Sequence, residues 1–392
     1  MVPDPMRDVG RNIAALRRMA NMTQLELAAA AGVSYAMVRA VERGARHPSD
    51  DVLDAFAGAL GVDPSRLLGH RGRTDSRVHD MVPRLSKAIA AYDLPEDGPV
   101  RPLHELRGAV AELVNWRVGA QYLRIARTAP LLLEELSRAL VMDQREETEV
   151  ARLLVSAYRA ADAVAYKFGH RDLSARLVEL MRWVAPMAVD PLLDAIVAYV
   201  RTETFFAARA HGPGLRALEQ AVDAAPAPDD VPSKAARGSL HMRAAVISGR
   251  AGHADAAVAH LAEAHRLGDE VPEGVYQGTA FGPSSVRIHE VSVAVSLGDT
   301  HLRRALDIAH EWTPPRDIPA ERRSGFCIEV ARAQLWAGLR DDAFESLKEA
   351  RRFAPQHTRE HPWVREDVAT LRRLKRADRE DLSNFADWCH AV

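Results

Sequence analysis

Glycine recurs beyond Pro102 at a spacing that few folds can accommodate. Gly169, Gly212, Gly252, Gly298 and Gly338 follow one another at intervals of 43, 40, 46 and 40 residues, with helical runs between them. Intervals of this size, each holding two helical runs around one break, are the mark of a helical-hairpin repeat. Aligned on these glycines, the fourth residue before is Ala165, Ala208, Ser248, Ala294 or Gln334, and the fifth after is Ser174, Ala217, Ala257, Arg303 or Ala343. Small side chains at fixed points let the two helices of a hairpin approach closely. Pro186 and Pro355 each stand 17 residues after a glycine of the register, where they end the second helix. Leu103 to Leu140 reads as a divergent first unit, and Pro362 to His390 as a polar capping helix. Aromatic residues are only 6% of the chain and alanine is abundant, which favours close-packed helices over sheets.

The first 70 residues follow a different, finer punctuation. Residues 7–69 divide into five short helices. The first places Val9, Ile13, Leu16 and Met19 on one stripe. Thr23 and Glu26 form a capping box that starts the second, which buries Leu27 and Ala28. Gly32 permits a tight turn, Ser34 caps a third helix with Val38 and Val41 inward, and Gly44 is a left-handed stop. A fourth helix opens at Pro48-Ser49-Asp50, with Val52, Leu53, Phe56, Ala57 and Leu60 inward. A fifth opens at Asp63-Pro64 and holds Leu67 and Leu68. Two helices joined by a short glycine-containing turn are a unit that reads DNA. Residues 1–70 carry eight Arg against eight Asp plus Glu, and the whole chain has a net charge of −2, so any such contact depends on where the charges sit.

In order and without gaps, Arg17, Thr23-Gln24, Leu27-Ala28, Ala31-Gly32-Val33-Ser34, Val38, Val41-Glu42-Arg43-Gly44, Pro48, Ala57, Leu60-Gly61-Val62 and Leu67-Leu68 resemble the Xre/Cro family, the phage-repressor type of helix-turn-helix. The resemblance implies that Gln24 meets a phosphate at the start of the second helix. It places Ser34, Tyr35, Ala36, Met37, Arg39 and Ala40 along the groove-facing side of a recognition helix, with Arg43 and Arg46 on backbone phosphate. The family often has Gln, Arg or Ser where this chain has Tyr35-Ala36-Met37. Those side chains offer few hydrogen bonds; they read thymine methyls by apolar contact, or Met37 packs against the second helix instead. With its body included, the chain resembles actinobacterial Xre-family regulators with tetratricopeptide-like sensor domains, through Leu153, Ala157-Tyr158, Ala161, Lys167-Phe168-Gly169 and Asp172-Leu173.

The expected architecture is therefore all-α. A five-helix helix-turn-helix domain at 1–70 and a polar linker at 71–101 precede an α-solenoid of tetratricopeptide-like hairpins at 102–392. In such a stack the first helix of each hairpin faces the concave groove. Counting ten, six and three residues back from each glycine, and setting small and aliphatic residues aside, gives Arg159, Tyr166, Thr202, Phe206, Arg209, Met242, Ser292 and Arg332. Arginine with aromatic and apolar surface suits a peptide or a small acidic effector, unless these residues only pack or solvate the solenoid.

Enzyme chemistry finds no anchor in the sequence. There is no GxGxxG, P-loop, HExxH or GxSxG pattern. Seven of the 16 histidines fall between His241 and His310 without metal-ligand spacing, and Cys327 and Cys389 make no zinc or disulfide framework. No metal or cofactor is expected. No apolar run approaches membrane-spanning length, so a cytoplasmic protein is expected. Only five of 52 basic residues are Lys, which hints at a GC-rich bacterial genome. The leading expectation is a homodimeric regulator that binds double-stranded DNA and senses a ligand or partner. The alternative is a scaffold that uses the repeat groove and has lost DNA binding.

Overall fold

The computed structural model describes residues 5–20, 22–46, 48, 50–60, 67, 78–142, 145–298, 300–374 and 380–391. They form two compact units, 1–73 and 74–392, here called head and body.

The head contains α1 (Pro5–Met19), α2 (Gln24–Ala30), α3 (Tyr35–Glu42) and α4 (Asp50–Leu60). Thr23 and Glu26 make the expected reciprocal cap: the Glu26 amide donates to Thr23 Oγ1 at 3.2 Å and the Thr23 amide donates to Glu26 Oε2 at 2.6 Å. Ser34 caps α3 by accepting from the Met37 amide at 3.2 Å. Gly32 and Gly44 take φ of +64° and +70°, the left-handed conformation that ends α2 and α3 without steric cost. Val9, Ile13, Leu27, Val38, Val41, Leu53, Phe56 and Leu67 form the core. Met19, expected on the inner stripe, is 75% exposed because α1 ends beside it. Apart from the buried Leu67, the expected fifth helix lies outside the described residues, as do Ser49 and the linker from His70 to Arg77.

The body begins earlier than the sequence suggested. Residues 78–90, read as linker, carry α5 (Val82–Ala90), and Val78, Leu85, Ala88 and Ile89 are buried in the body's main core. Six helical hairpins follow. They are α6 (Leu103–Val118) with α7 (Tyr122–Met142), α8 (Glu147–Lys167) with α9 (Arg171–Val184), and α10 (Pro191–Ala207) with α11 (His211–Ala224). Then come α12 (Val231–Arg250) with α13 (Ala254–Gly268), α14 (Pro283–Leu297) with α15 (Leu302–Glu311), and α16 (Ala320–Trp336) with α17 (Arg340–Phe353). First helices of successive hairpins pack on one another, α6 on α8, α8 on α10 and so on to α16, as in a repeat stack. α18 (Pro355–Glu360), α19 (Pro362–Leu374) and α20 (Glu380–Cys389) close the C-terminal end, so the expected single capping helix is two. No described helix is long and apolar enough to cross a membrane.

Gly169, Gly252, Gly298 and Gly338 do mark hairpin turns, each with positive φ. Gly212 does not. The left-handed residue of its hairpin is Arg209, at φ +54°, and Gly212 already lies inside α11. The register of that unit therefore moves by three residues, and the small position five after the turn is Gly214, not Ala217. A Cβ on Gly214 would lie 2.5 Å from Ile247 Cδ1 and 2.9 Å from Phe205 Cβ, so α11 approaches its neighbours there only because the side chain is absent.

Among the described residues one short piece of sheet interrupts the helices. Between α13 and α14, β1 (Gly274–Tyr276) pairs antiparallel with β2 (Thr279–Phe281), Val275 opposite Ala280. Gln277 and Gly278 both have positive φ, the conformation of a tight two-residue hairpin. Phe281 is fully buried against α12, where Gly238 makes room: a Cβ there would sit 2.0 Å from the Phe281 ring.

Candidate nucleic-acid interface and an interior cationic cavity

The head presents α3 outward as its sequence requires. Val38 and Val41 are buried, and half a turn away Ser34, Tyr35, Ala36 and Arg39 are exposed, while Met37 and Ala40 are half-buried. Met37 packs partly onto the head core. Arg43 and Arg46 are exposed beyond the helix end. The Arg39 guanidinium lies 5.7 Å from the Tyr35 ring centre, and Arg43 Nε donates to the Arg39 carbonyl at 3.1 Å, so two of the cations are held along the surface of α3.

What fixes α3 against α1 is an ion pair that the motif contained but did not explain. Arg17 donates from Nε to Glu42 Oε1 at 2.6 Å, from a terminal nitrogen to Glu42 Oε2 at 2.9 Å, and to the Met22 carbonyl at 2.8 Å. Burial would raise the Glu42 pKa, but the bonds from Arg17 and Gln24 outweigh it and hold the carboxylate charged below its ordinary value. Gly10 completes the contact, because a Cβ there would stand 2.1 Å from the Val41 carbonyl oxygen. Gln24, expected at a phosphate, gives one amide hydrogen to Glu42 Oε2 at 2.7 Å, which leaves the other N–H of the amide for a second partner.

In the body, the first helices surround a cavity of about 210 Å³. Arg117 of α6, Arg159 of α8, Arg243 and Arg250 of α12 and Arg322 of α16 line it, with Lys167, Tyr166, Tyr199, Glu203 and Phe206. The β1–β2 turn forms one wall. Arg159 donates to the Gln277 carbonyl at 2.8 Å and to Thr279 Oγ1 at 2.7 Å, and Arg117 donates to the Gly278 carbonyl. Of the residues expected to face the groove, Arg159, Tyr166 and Phe206 line this cavity. The others are elsewhere. Thr202 is buried and donates to its own helix at the Tyr199 carbonyl, and Arg209 is the hairpin turn. Met242 is fully buried in a core with Phe281, and Ser292 is half-buried beside Glu329. Arg332 is buried in an ion pair with Asp367 at 2.9 Å and stacks 4.2 Å from the Trp363 ring centre.

Counted from the observed turns, the rule finds cavity residues of α8 and α10. Ten, six and three residues before Arg209 stand Tyr199, Glu203 and Phe206, and all three line the cavity, as do Arg159, Ala163 and Tyr166 before Gly169. It fails from α12 onward, where Arg243 and Arg250 point inward one residue later than expected.

Comparison with known proteins supplies the family for the head. The helix-turn-helix family profile matches residues 13–67. An uncharacterized HTH-type transcriptional regulator of Sinorhizobium fredii, y4dJ, is 40% identical over 65 residues, 17% of this chain and 84% of that protein. The chain belongs to the helix-turn-helix family of transcriptional regulators. An immunity repressor of Bacillus phage phi105 is 39% identical over 61 residues, 16% of this chain. The match spans only 42% of that repressor's length. Among solved structures, Bacillus thuringiensis PlcR in complex with the peptide PapR7 and DNA aligns with 67% of this chain and 95% of its own, at 13% identity and a TM-score of 0.33.

Proposed function

We propose that this helix-turn-helix regulator binds double-stranded DNA sequence-specifically through α3, and that its helical body joins two copies and senses an effector. The observation that carries the reading is the outer face of α3. Ser34, Tyr35, Ala36 and Arg39 are turned to solvent on a helix whose opposite face is locked by Val38, Val41 and the Arg17–Glu42 pair. Such a helix enters a major groove with its N-terminal half at the base edges. Arg39 takes guanine, Ser34, Ala36, Met37 and Ala40 meet base edges and methyl groups, and Gln24, Arg43 and Arg46 meet phosphate.

One head covers half a site, so two must span roughly 34 Å of duplex, the spacing of successive major grooves on one face. A symmetric dimer held by the body meets that requirement. An effector that prefers one geometry of the dimer then changes DNA affinity by the difference in its affinity for the two forms.

Selection of bound sites from genomic fragments, followed by gel shift, tests the reading. The wild type is expected to enrich one palindromic site, and Arg39→Ala to relax preference at one base pair by about 1–3 kcal/mol. Equal binding to every fragment would refute sequence-specific readout. Light scattering that finds a monomer at micromolar concentration, both free and on DNA, would refute the dimer.

A further inference from the structure

The charges around the body's cavity do not cancel among themselves. Lys167 pairs with Glu321 at 2.8 Å, and Arg243 lies 3.6 Å from Glu203. The third carboxyl of the lining, Asp162, is buried and accepts from Ser174 Oγ at 2.6 Å. Burial first, and then neighbouring Glu203, push its pKa well above the ordinary carboxyl value, which favours its neutral form.

Arg117, Arg159, Arg250 and Arg322 remain. Among the described residues none of them makes an ion pair with a carboxylate: Arg117, Arg159 and Arg322 donate to neutral groups, and Arg250 feels Glu329 only beyond ion-pair distance. Arg322 donates to the Tyr199 hydroxyl at 2.7 Å and to His289 Nε2 at 3.1 Å. Arg159 and Arg117 donate to the β1–β2 turn. Arg250 lies 4.4 Å from the Phe206 ring centre, and the Nε atoms of Arg117 and Arg243 are buried with no acceptor.

Two titrating groups report the same positive field. Burial and neighbouring Arg117 pull Arg159 down to about 9, still charged at neutral pH. Burial alone would raise the Tyr199 phenol, yet Arg243, Arg322 and Arg159 together bring it down to about 8.

Resting on the reading of the body as a sensor, we propose that this cavity binds a small organic polyanion bearing at least two carboxylate or phosphate groups. Arg159, Arg250 and Arg322 are its charge partners, and Tyr166 and Phe206 lie against its carbon frame. Planar guanidiniums converging from α8, α12 and α16 match carboxylate and phosphate oxygens in paired hydrogen bonds. The cavity is smaller than the roughly 300–1,000 Å³ of sites for drug-sized ligands, which selects a compact ligand over a long peptide. It reaches the surface beside the exposed Arg250 and Val275, which gives an entry path past a cation.

Isothermal titration of the full chain with citrate and with pyrophosphate, at matched ionic strength, tests the inference. Saturable binding of at least one probe is expected. Arg322→Gln and Arg159→Gln should each weaken it about tenfold or more, the effect of losing hydrogen bonds to a charged group. Arg266→Gln, at an exposed pair with Glu263, should leave it unchanged. Should the buried substitutions unfold the body, two measurements decide in their place. Arg250→Gln alters an exposed side chain and should still weaken binding. Absorbance titration of the unaltered protein should show one tyrosine ionising near pH 8. The bound probe should move that ionisation upward, because its charge opposes a tyrosinate.

No saturable binding of either probe overturns the proposal. So does binding that is unchanged in both Arg322→Gln and Arg250→Gln. Gel shift on the same preparation separates the two readings. DNA binding without anion binding removes this inference alone, and anion binding without DNA binding removes the DNA-binding reading of the head.

Discussion

In the head, Arg39, Arg43 and Arg46 stand in water along α3 and just past its end, whereas in the body Arg159 and Arg332 are sunk among packed helices and Arg322 is half-buried. The exposed three need no partner, because water already solvates them, and they remain available to a phosphate. The buried ones had to be matched as the chain folded. Arg332 is matched by a carboxylate, and Arg159 and Arg322 by carbonyl, hydroxyl and imidazole groups. Arg17 is the head's one inward arginine among the described residues, and it too has a carboxylate, Glu42. A balanced charge count therefore says little about either unit. What each arginine can do is set by whether a counter-charge came with it into the protein.

The sharpest way to break this contrast is to remove a matched arginine. Arg332→Ala leaves Asp367 buried without its two-pronged partner and takes a cation off the Trp363 ring. Breaking a buried pair from one side costs about 3–5 kcal/mol. Burial already pushes the Asp367 carboxyl upward, so the loss should grow as pH rises above the ordinary carboxyl range. Thermal unfolding of the body should show it. A change below 1 kcal/mol at neutral pH would mean that the pair is not what holds α19 to α16.

Acid should separate the units next. Burial holds His241 down to about 4, His357 to about 3, and His289 and His361 well below the ordinary imidazole value. Unfolding frees these rings to take up protons once the pH is below about 6.5, so their contribution is complete above that value and declines as pH falls toward the folded pKa values. Asp162 and Glu329, pushed up by burial, act in the opposite sense and offset part of the uptake. The net expectation, with four rings against two carboxyls, is a loss of stability from the body between pH 7 and 5. The head has no histidine among its described residues. Its Glu42 is held low, so that contribution fades only below the ordinary carboxyl value. Hydrogen exchange should show the body losing protection first; earlier loss in the head would contradict the assignment.

The third test concerns how helices begin. Thr23→Ala removes one half of a reciprocal cap and should cost the head about 1 kcal/mol. In the body α8, α9, α11 and α13 start with no side-chain cap, and packing alone sets their ends. This difference explains what could be read in advance. Thr23, Gly32, Ser34 and Gly44 specify the head within a few residues of chain, so its helices and outward face were legible. In the body the glycine register gave the hairpins, but it set one turn at Gly212 when the left-handed residue was Arg209, which carries no side-chain signal for that conformation. The β1–β2 hairpin had a faint signal, Tyr276 and Thr279 flanking Gln277-Gly278. Its placement beneath Arg117 and Arg159 depends on contacts 118 and 161 residues apart, which local pattern does not encode. The cavity followed the counting rule only on α8 and α10.

The smallest effect on stability should accompany a clear effect on function. Arg43→Ala and Arg46→Ala alter exposed side chains beyond the end of α3, where surface substitutions usually change stability by no more than about 0.5 kcal/mol. The Arg43 bond to the Arg39 carbonyl is itself exposed and adds little. On DNA the same guanidiniums neutralise phosphates and release condensed counterions, so the logarithm of affinity falls with the logarithm of salt in proportion to the contacts made. Each substitution should then weaken binding to all sequences alike and reduce that slope by about one unit. Arg39→Ala should instead alter preference at one base pair while the slope changes less. Binding measured between low and physiological salt on a selected and a scrambled site distinguishes these outcomes. If both Arg43→Ala and Arg46→Ala keep the wild-type slope, these arginines do not touch phosphate, and the path of DNA across the head must be redrawn around Gln24 and Arg39.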